Sequence, residues 1–323
     1  MARKQKLKII SLGGLNEIGK NMTAIEYGNS IIVIDCGLAF PDDEMLGIDL
    51  VIPDVTYLVK NKEKVKAFIL THGHEDHIGG LPFVLKEVNV PVYGTRLTLG
   101  IVERKLKESG MLSRAKLNVV KAKDVIKFDD FKVEFIHTNH SIADAVALAI
   151  TTPVGVLVHT GDFKIDTTPI SGSMIDLARF GELGKKGVLA LMSDSTNAER
   201  PGYTLSESTV GTSFDNIFEG TDKRIIIATF ASNVHRVQQI INAAAKVGRK
   251  VAISGRSMIN IVTVAMQLGY MNAPEGTLID LDDVTRYPKD KLCIITTGSQ
   301  GEAMSALTRM AFSEHKKITI GSS

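Results

Sequence analysis

Residues 71–82 read Thr71-His72-Gly73-His74-Glu75-Asp76-His77-Ile78-Gly79-Gly80-Leu81-Pro82. Four side chains able to bind a metal, His72, His74, Asp76 and His77, fall within six residues. Before them, Val65 to Leu70 is an unbroken apolar run apart from Lys66, the pattern of a buried strand. After them, Leu81 to Val88 reads as the first turns of a helix, where Pro82 is tolerated. The ligands are therefore expected on a loop between a strand and a helix. Imidazole and carboxylate together suit zinc or manganese. A tight turn can aim His72 and His74 at one ion, and Asp76 and His77 at a second. In two-metal sites the ions lie roughly 3.5–4 Å apart and clamp a phosphate or acyl oxygen. A surface histidine cluster at a helix start is the competing reading, and the placing of His72, His74, Asp76 and His77 between a buried strand and Gly79-Gly80 argues against it.

The chain has 323 residues, 44% hydrophobic and 23% charged, ordinary for a globular protein. That length suits one large or two medium domains. No apolar run approaches the ~18–20 residues of a membrane span. The basic start, Met1 to Lys8, carries no cleavable signal pattern. The two cysteines, Cys36 and Cys293, lie far apart and suggest a reducing compartment, the cytoplasm, without a disulfide framework. A net charge of +2 does not by itself point to nucleic acid.

Outward from the ligand stretch, Leu7 to Leu12 reads as a strand running into the glycine-containing loop 13–21. Its spacing and the strand that follows, Met22 to Tyr27, are wrong for a dinucleotide loop. Ile31 to Ile34 is a strand closed by Asp35. A carboxylate there can hydrogen-bond a metal-bound histidine and fix its tautomer, or simply cap a turn. Phe40 to Asp49 is an acidic loop, solvated or able to offer oxygens to calcium. Strands are expected at Val92-Tyr93, Leu117–Val120, Phe131–His137, Val154–His159 and Leu189–Met192, with a helix over Thr95–Glu108. His140 and Asp162 each follow a strand. Together they can supply a third histidine to one metal and an oxygen bridging both.

From about residue 205 apolar strands alternate with amphipathic helices: strands at 224–229, 250–253 and 292–296, helices at 234–247, 258–268 and 302–312. This is the pattern of a parallel three-layer α/β unit. The boundary is expected near Arg200-Pro201-Gly202, giving domains at 1–205 and 206–323.

The ligand stretch resembles the signature of the metallo-β-lactamase superfamily, and the α/β unit after Asp194 resembles the insertion of its β-CASP nucleases. Within them the chain is similar to bacterial ribonuclease J, the catalytic paralogue. The similarity is carried by Gly13-Gly14 with Glu17-Ile18-Gly19, the 40–54 stretch, Ser193-Asp194-Ser195-Thr196-Asn197, Thr229-Phe230-Ala231-Ser232-Asn233 with His235-Arg236, Gly255-Arg256-Ser257-Met258, and Thr297-Gly298-Ser299-Gln300-Gly301-Glu302. The resemblance implies an α/β fold, an αββα sandwich with an inserted and here incomplete β-CASP domain. It implies two zinc or manganese ions, one on His72, His74 and His140, the other on Asp76 and His77, with Asp162 bridging. It implies that a hydroxide between the metals attacks phosphorus, with Asp76 and Asp194 catalytic, Asp194 by orienting a downstream histidine that protonates the leaving oxygen. It implies that Ser232 and Asn233 contact the RNA phosphate, although Asn233 also suits the cap of the helix beginning at 234. A structural calcium near Gly47 and Asp49 is a further implication.

The activity so implied is 5′-to-3′ exonucleolysis of 5′-monophosphorylated RNA with some endonucleolytic cleavage, in RNA maturation and decay, by a homo-oligomer or a complex with a paralogue. Members of the family continue past residue 323. The expectation is therefore that these residues alone, lacking a histidine acid and one ligand, hold the second metal and cleave RNA poorly. Two alternatives stand beside it. One is another hydrolase on this scaffold, a thioesterase or lactonase. The other is a non-catalytic partner subunit.

Overall fold

A computed structural model describes residues 5–42, 44–299, 301 and 305–320. The chain forms two compact units: residues 1–140, 144–165 and 175–202 make the first, and 141–143, 166–174 and 203–323 the second.

The first unit is built on two sheets. One holds β1 (Leu7–Gly13), β2 (Met22–Tyr27), β3 (Ser30–Ile34), β4 (Val65–Ile69), β5 (Val92–Thr95) and β6 (Leu117–Val120), in that spatial order. β1, β2 and β3 pair antiparallel, and β3 through β6 pair parallel. The change of direction agrees with the sequence. β3 and β4 are near-continuous apolar runs because both faces of a parallel sheet are covered, and every residue of β3 is buried. The second sheet holds β7 (Val125–Phe128), β8 (Phe131–His137), β9 (Val146–Thr152), β10 (Gly155–His159) and β11 (Ala190–Met192), ordered β11-β10-β9-β8-β7 and antiparallel except for β10–β11.

The sheets share one core. Ile25, Ile32, Ile34 and Ile69 from the first meet Phe131, Val133, Phe135, Leu148, Ile150 and Leu157 from the second. The helices of this unit are α1 (Thr56–Lys60), α2 (Glu75–Ile78), α3 (Leu81–Glu87), α4 (Arg96–Glu108) and α5 (Leu177–Lys186). α4 lies on β5 and β6. The outer face of the second sheet, Ile136, Ala147, Ala149 and Val158, is closed by Leu183 of α5. The layers are therefore helix, sheet, sheet, helix, the αββα sandwich expected from the sequence.

Among the described residues the second unit has four parallel strands, β12 (Ile225–Ala228), β13 (Lys250–Ser254), β14 (Leu278–Ile279) and β15 (Leu292–Thr296), ordered β12-β15-β13-β14. Its helices are α6 (Ser208–Glu219), α7 (Val234–Lys246), α8 (Arg256–Gln267) and α9 (Ala306–Ala311). Residues 166–174 belong here despite preceding residue 200. The buried Asp166 carboxylate accepts from the backbone N–H groups of Thr168 and Glu207, and the Thr168 hydroxyl donates to Ser206 Oγ at 2.9 Å. Those bonds tie the segment to the start of α6.

Several elements differ from the sequence reading. β7, β9, β14, α1, α2, α5 and α6 are additional to it. α9 begins at Ala306, where the Ser305 side chain accepts from the N–H of Thr308. Gln300 and Glu302 of the expected motif and helix lie outside the described residues. Among the described residues, no helix is long and apolar enough to cross a membrane.

Candidate metal centre

The motif leaves β4 at Ile69, but Asp76 and His77 do not sit on an open loop. They lie on α2, a single helical turn with His74 at its N-cap position. A turn this short cannot satisfy its own carbonyls. Neighbouring backbone does so: Asn21 N–H donates to Asp76 O at 3.0 Å, Cys36 N–H to His77 O at 2.8 Å, and Leu38 N–H to Glu75 O at 3.3 Å. Gly80 N–H donates back to Cys36 O at 2.8 Å. The segment following β3 thus holds the ligand turn along its length.

Two further ligands arrive on other strand ends. His140 follows β8 and Asp162 follows β10. The two segments are joined by the Lys164 N–H donating to Asn139 O at 2.7 Å. The result is two converging sets that share one carboxylate, His72, His74, His140 and Asp162 in the first and Asp76, His77 and Asp162 in the second. Within each set the ligand atoms lie within 4.8 Å of one another. Asp162 Oδ2 is 3.7 Å from His140 Nε2 and 4.0 Å from His72 Nε2, while its Oδ1 is 3.3 Å from His77 Nε2.

Asp35 fixes the rings. Its Oδ1 accepts from Thr71 N–H at 2.8 Å, and its Oδ2 accepts from Thr71 Oγ1–H at 2.8 Å and lies 2.7 Å from His77 Nδ1. A carboxylate only accepts, so His77 carries its proton on Nδ1 and turns Nε2 toward Asp162. Thr71 Oγ1 has its proton directed at Asp35, so at 3.0 Å from His72 Nδ1 it must accept. That places a proton on His72 Nδ1 and a lone pair on Nε2. His72 Nε2 is fully buried and makes no hydrogen bond. A buried, unpaired nitrogen lone pair facing a carboxylate is an acceptor set that lacks a donor, and a cation supplies what is missing. The residues present fit a divalent metal.

Electrostatics point the same way. Burial pushes His72 and His74 well below the usual imidazole range, and neighbouring imidazoles add to the effect. Burial also lowers His140, against the pull of Asp162. These three rings are neutral and ready to ligate. Burial raises the Asp162 carboxyl, but His77, His140 and His74 outweigh it and hold it at about 2. Burial raises Asp76, partly countered by His77. Burial lowers His77, yet Asp35 and Asp162 overcome this and raise it well above 6.5. A metal on Nε2 therefore displaces a proton.

The other expected residues join neither ligand set, although Asp194 is near enough to His140 to act on its charge. Asp194 follows β11, next to β10 in the sheet. Its N–H donates to Thr160 Oγ1 at 2.9 Å, and its Oδ1 accepts from Thr196 N–H at 2.8 Å. Ser232 and Asn233 lie in the second unit. Asn233 caps α7, its Oδ1 accepting from Arg236 N–H at 3.0 Å. Gly47 and Asp49 lie in an exposed loop and join neither ligand set. His159 also stays outside both sets, its Nδ1 accepting from Gly161 N–H at 3.0 Å. The sequence reading missed Thr71 and Asn21. Thr71 borders the motif, but its double contact appears only when β3 and β4 pair. Asn21 reaches the site from 55 residues away.

If Thr71 sets the His72 tautomer, Thr71→Val should lower affinity for the first cation about 10–100-fold, the usual cost of losing such a contact. Calorimetric titration with zinc checks this, and an unchanged affinity would remove Thr71 from the argument.

Comparison with known proteins places these features. Residues 15–174 match the model described as "Metallo-beta-lactamase superfamily", and residues 222–323 match "Ribonuclease J, beta-CASP domain". A ribonuclease J of Synechocystis sp. is 49% identical over 318 residues, covering 98% of this chain and 50% of the relative. Ribonuclease J2 of Bacillus subtilis is 47% identical over 316 residues, covering 98% and 57%. A ribonuclease J of Helicobacter pylori is 47% identical over 318 residues, covering 98% and 46%. The chain thus spans about half the length of the curated relatives it matches. Among solved structures, a protein of unknown function from Enterococcus faecalis superposes with a TM-score of 0.66 at 18% identity, covering 91% of this chain and 78% of the other, a likeness of fold.

Proposed function

We propose, for a chain that belongs to the ribonuclease J family of the metallo-β-lactamase superfamily, that it carries the metal centre of a ribonuclease acting on 5′-monophosphorylated RNA. The reaction we assign is 5′-to-3′ exonucleolysis with some endonucleolytic cleavage. The observation that carries this reading is the convergence of two ligand sets on the shared Asp162. Zinc or manganese bound there lowers the pKa of water for attack on phosphorus and neutralises charge growing on the phosphate.

The chain's own residues supply the rest. His72, His74 and His140 enter as neutral donors, and Asp76 and Asp162 as carboxylates. Asp35 holds His77 directly and His72 through Thr71. Asp194, fixed by Thr196 N–H, is suited to orient a proton donor toward the leaving oxygen. The Asn233 oxygen caps α7, so the Asn233 Nδ2 group and the Ser232 hydroxyl are the donors we assign to an RNA phosphate. Two buried cysteines without a disulfide suit a cytoplasmic protein. RNA is the partner, and assembly with itself or a paralogue belongs to the same reading.

The test is a metal count and a cleavage assay on the whole protein, wild type and Asp76→Ala, with 5′-monophosphorylated RNA and with a thioester. RNA should be shortened from its 5′ end. Chelation should stop it, and Asp76→Ala should lower the rate by on the order of 10²-fold or more, since losing one such group removes several kcal/mol of charge stabilisation. Thioester hydrolysis without RNA cleavage, or a metal-free protein that binds RNA without cutting it, would replace this reading.

A further inference from the structure

The second ligand set has a neighbour that neither composition nor motif spacing singles out. Asn21 Nδ2 lies 3.3 Å from Asp76 Oδ2, 3.2 Å from Asp76 O and 3.1 Å from His77 Nε2. It therefore touches both residues that are peculiar to that set. Its distances to the site are secured by backbone on both sides. Asn21 N–H donates to Asp76 O at 3.0 Å, and Asn21 O accepts from Gly37 N–H at 3.0 Å.

The carboxamide is also held in orientation. A Cβ added to Gly14 would lie 2.4 Å from Asn21 Oδ1, so the amide oxygen rests against the bare backbone of Gly14 and the NH2 group faces the ligands. The loop that delivers it takes unusual conformations: Gly14 has φ +78°, Gly19 +94°, and the non-glycine residues Asn16 and Lys20 have φ 58° and 51°. Left-handed backbone at a lysine is costly and persists where surrounding contacts impose it. Here Lys20 N–H donates to Leu38 O at 3.0 Å, and its ammonium pairs with Glu17 at 3.0 Å. Strain and bonds together place one amide.

We propose that Asn21 is a positioning residue for the second cation, acting by N–H donation to Asp76. The donor occupies one lone pair of Asp76 Oδ2 and stops the carboxylate from rotating away from His77 and Asp162. It leaves the remaining oxygen lone pairs for a metal. The first set, which contains neither Asp76 nor His77, does not depend on it. The proposal rests on the metal-centre reading above.

The experiment is titration of the whole protein with Mn2+ alone, followed by calorimetry and by a count of bound metal, for wild type, Asn21→Ala and Asn21→Leu. Wild type should take two cations. Both variants should keep the first with unchanged affinity and bind the second about 10–100-fold more weakly, the range seen when an outer contact to a ligand is removed. Asn21→Leu matters because it keeps nearly the same size and shape but loses the donor. If it bound the second cation as tightly as wild type, packing and not N–H donation would be what Asn21 supplies and the proposal would be wrong. Equal loss of both cations would assign Asn21 a general structural role and overturn it. Two cations held at wild-type affinity by both variants would overturn it while leaving the metal centre intact. A wild-type protein that takes no cation would bring down the metal centre and this proposal together.

Discussion

Asp162→Ala should empty both ligand sets. Every other ligand serves one set, whereas Asp162 lies in both. Its two oxygens divide the work, Oδ2 toward His72 and His140 and Oδ1 toward His77. Without it the first set is reduced to three neutral imidazoles, with no anion to offset the charge of a divalent ion. The second is reduced to Asp76 and His77. Metal bound by the whole protein should fall from two ions toward zero. RNA cleavage by the whole protein should fall on the order of 10³-fold or more, because several kcal/mol of charge stabilisation go with the metals and each 1.4 kcal/mol is tenfold. Asp162→Asn, with nearly the same shape, should behave alike, which separates loss of charge from loss of packing. Mass-spectrometric metal counts and a single-turnover assay measure both. Metal retained at wild-type stoichiometry in Asp162→Ala would refute the shared-ligand geometry.

Gly37→Ala should be among the most destabilising single-methyl changes in the chain. Gly37 lies between Cys36 and Leu38, whose N–H groups hold the carbonyls of α2. A Cβ at this position would stand 1.6 Å from Asp76 O, 2.3 Å from Asp76 C and 2.9 Å from Asn21 N. All three atoms are backbone, so no side chain can turn aside. Gly37 does not have a positive φ, and the penalty is collision instead of conformational preference. Overpacking typically costs about 1–3 kcal/mol, and a backbone-to-backbone clash belongs at the upper end or beyond it. Urea denaturation of the metal-free protein should show that loss, and metal titration should show the second cation weakened, because Asp76 must move. Gly181→Ala is the control. It lies within α5 with open space around it, where alanine should be neutral or stabilise by up to about 1 kcal/mol. If the two variants denatured at the same urea concentration, the tight approach of Gly37 to α2 would be wrong.

Much of the first unit could be read from residue order because its signals are local. β2, β3 and β4 are short apolar runs bounded by polar turns, and a pattern of this kind needs no knowledge of its partner. β9 was not legible. Ala145-Val146-Ala147-Leu148-Ala149-Ile150 mixes alanine, which favours helix, with branched residues, which favour strand. Pairing with β8 and β10 on either side decides the matter. α2 was hidden for a related reason. Four residues cannot form a stable helix by themselves, and the turn exists because Asn21, Cys36 and Leu38 donate to its carbonyls.

The sequence by itself named the candidate ligands, the strands that His72, His140 and Asp162 follow, and the α/β character of both halves. These follow from residue type and from periods of two and 3.6, which are properties of the chain alone. Tertiary structure decided that Thr71 joins Asp35 in setting the ring tautomers, and that Asn21 and Gly37 stand against the ligand turn. Those facts depend on distances between segments tens of residues apart. Such distances are set by how sheets pair and pack, and no local pattern encodes them.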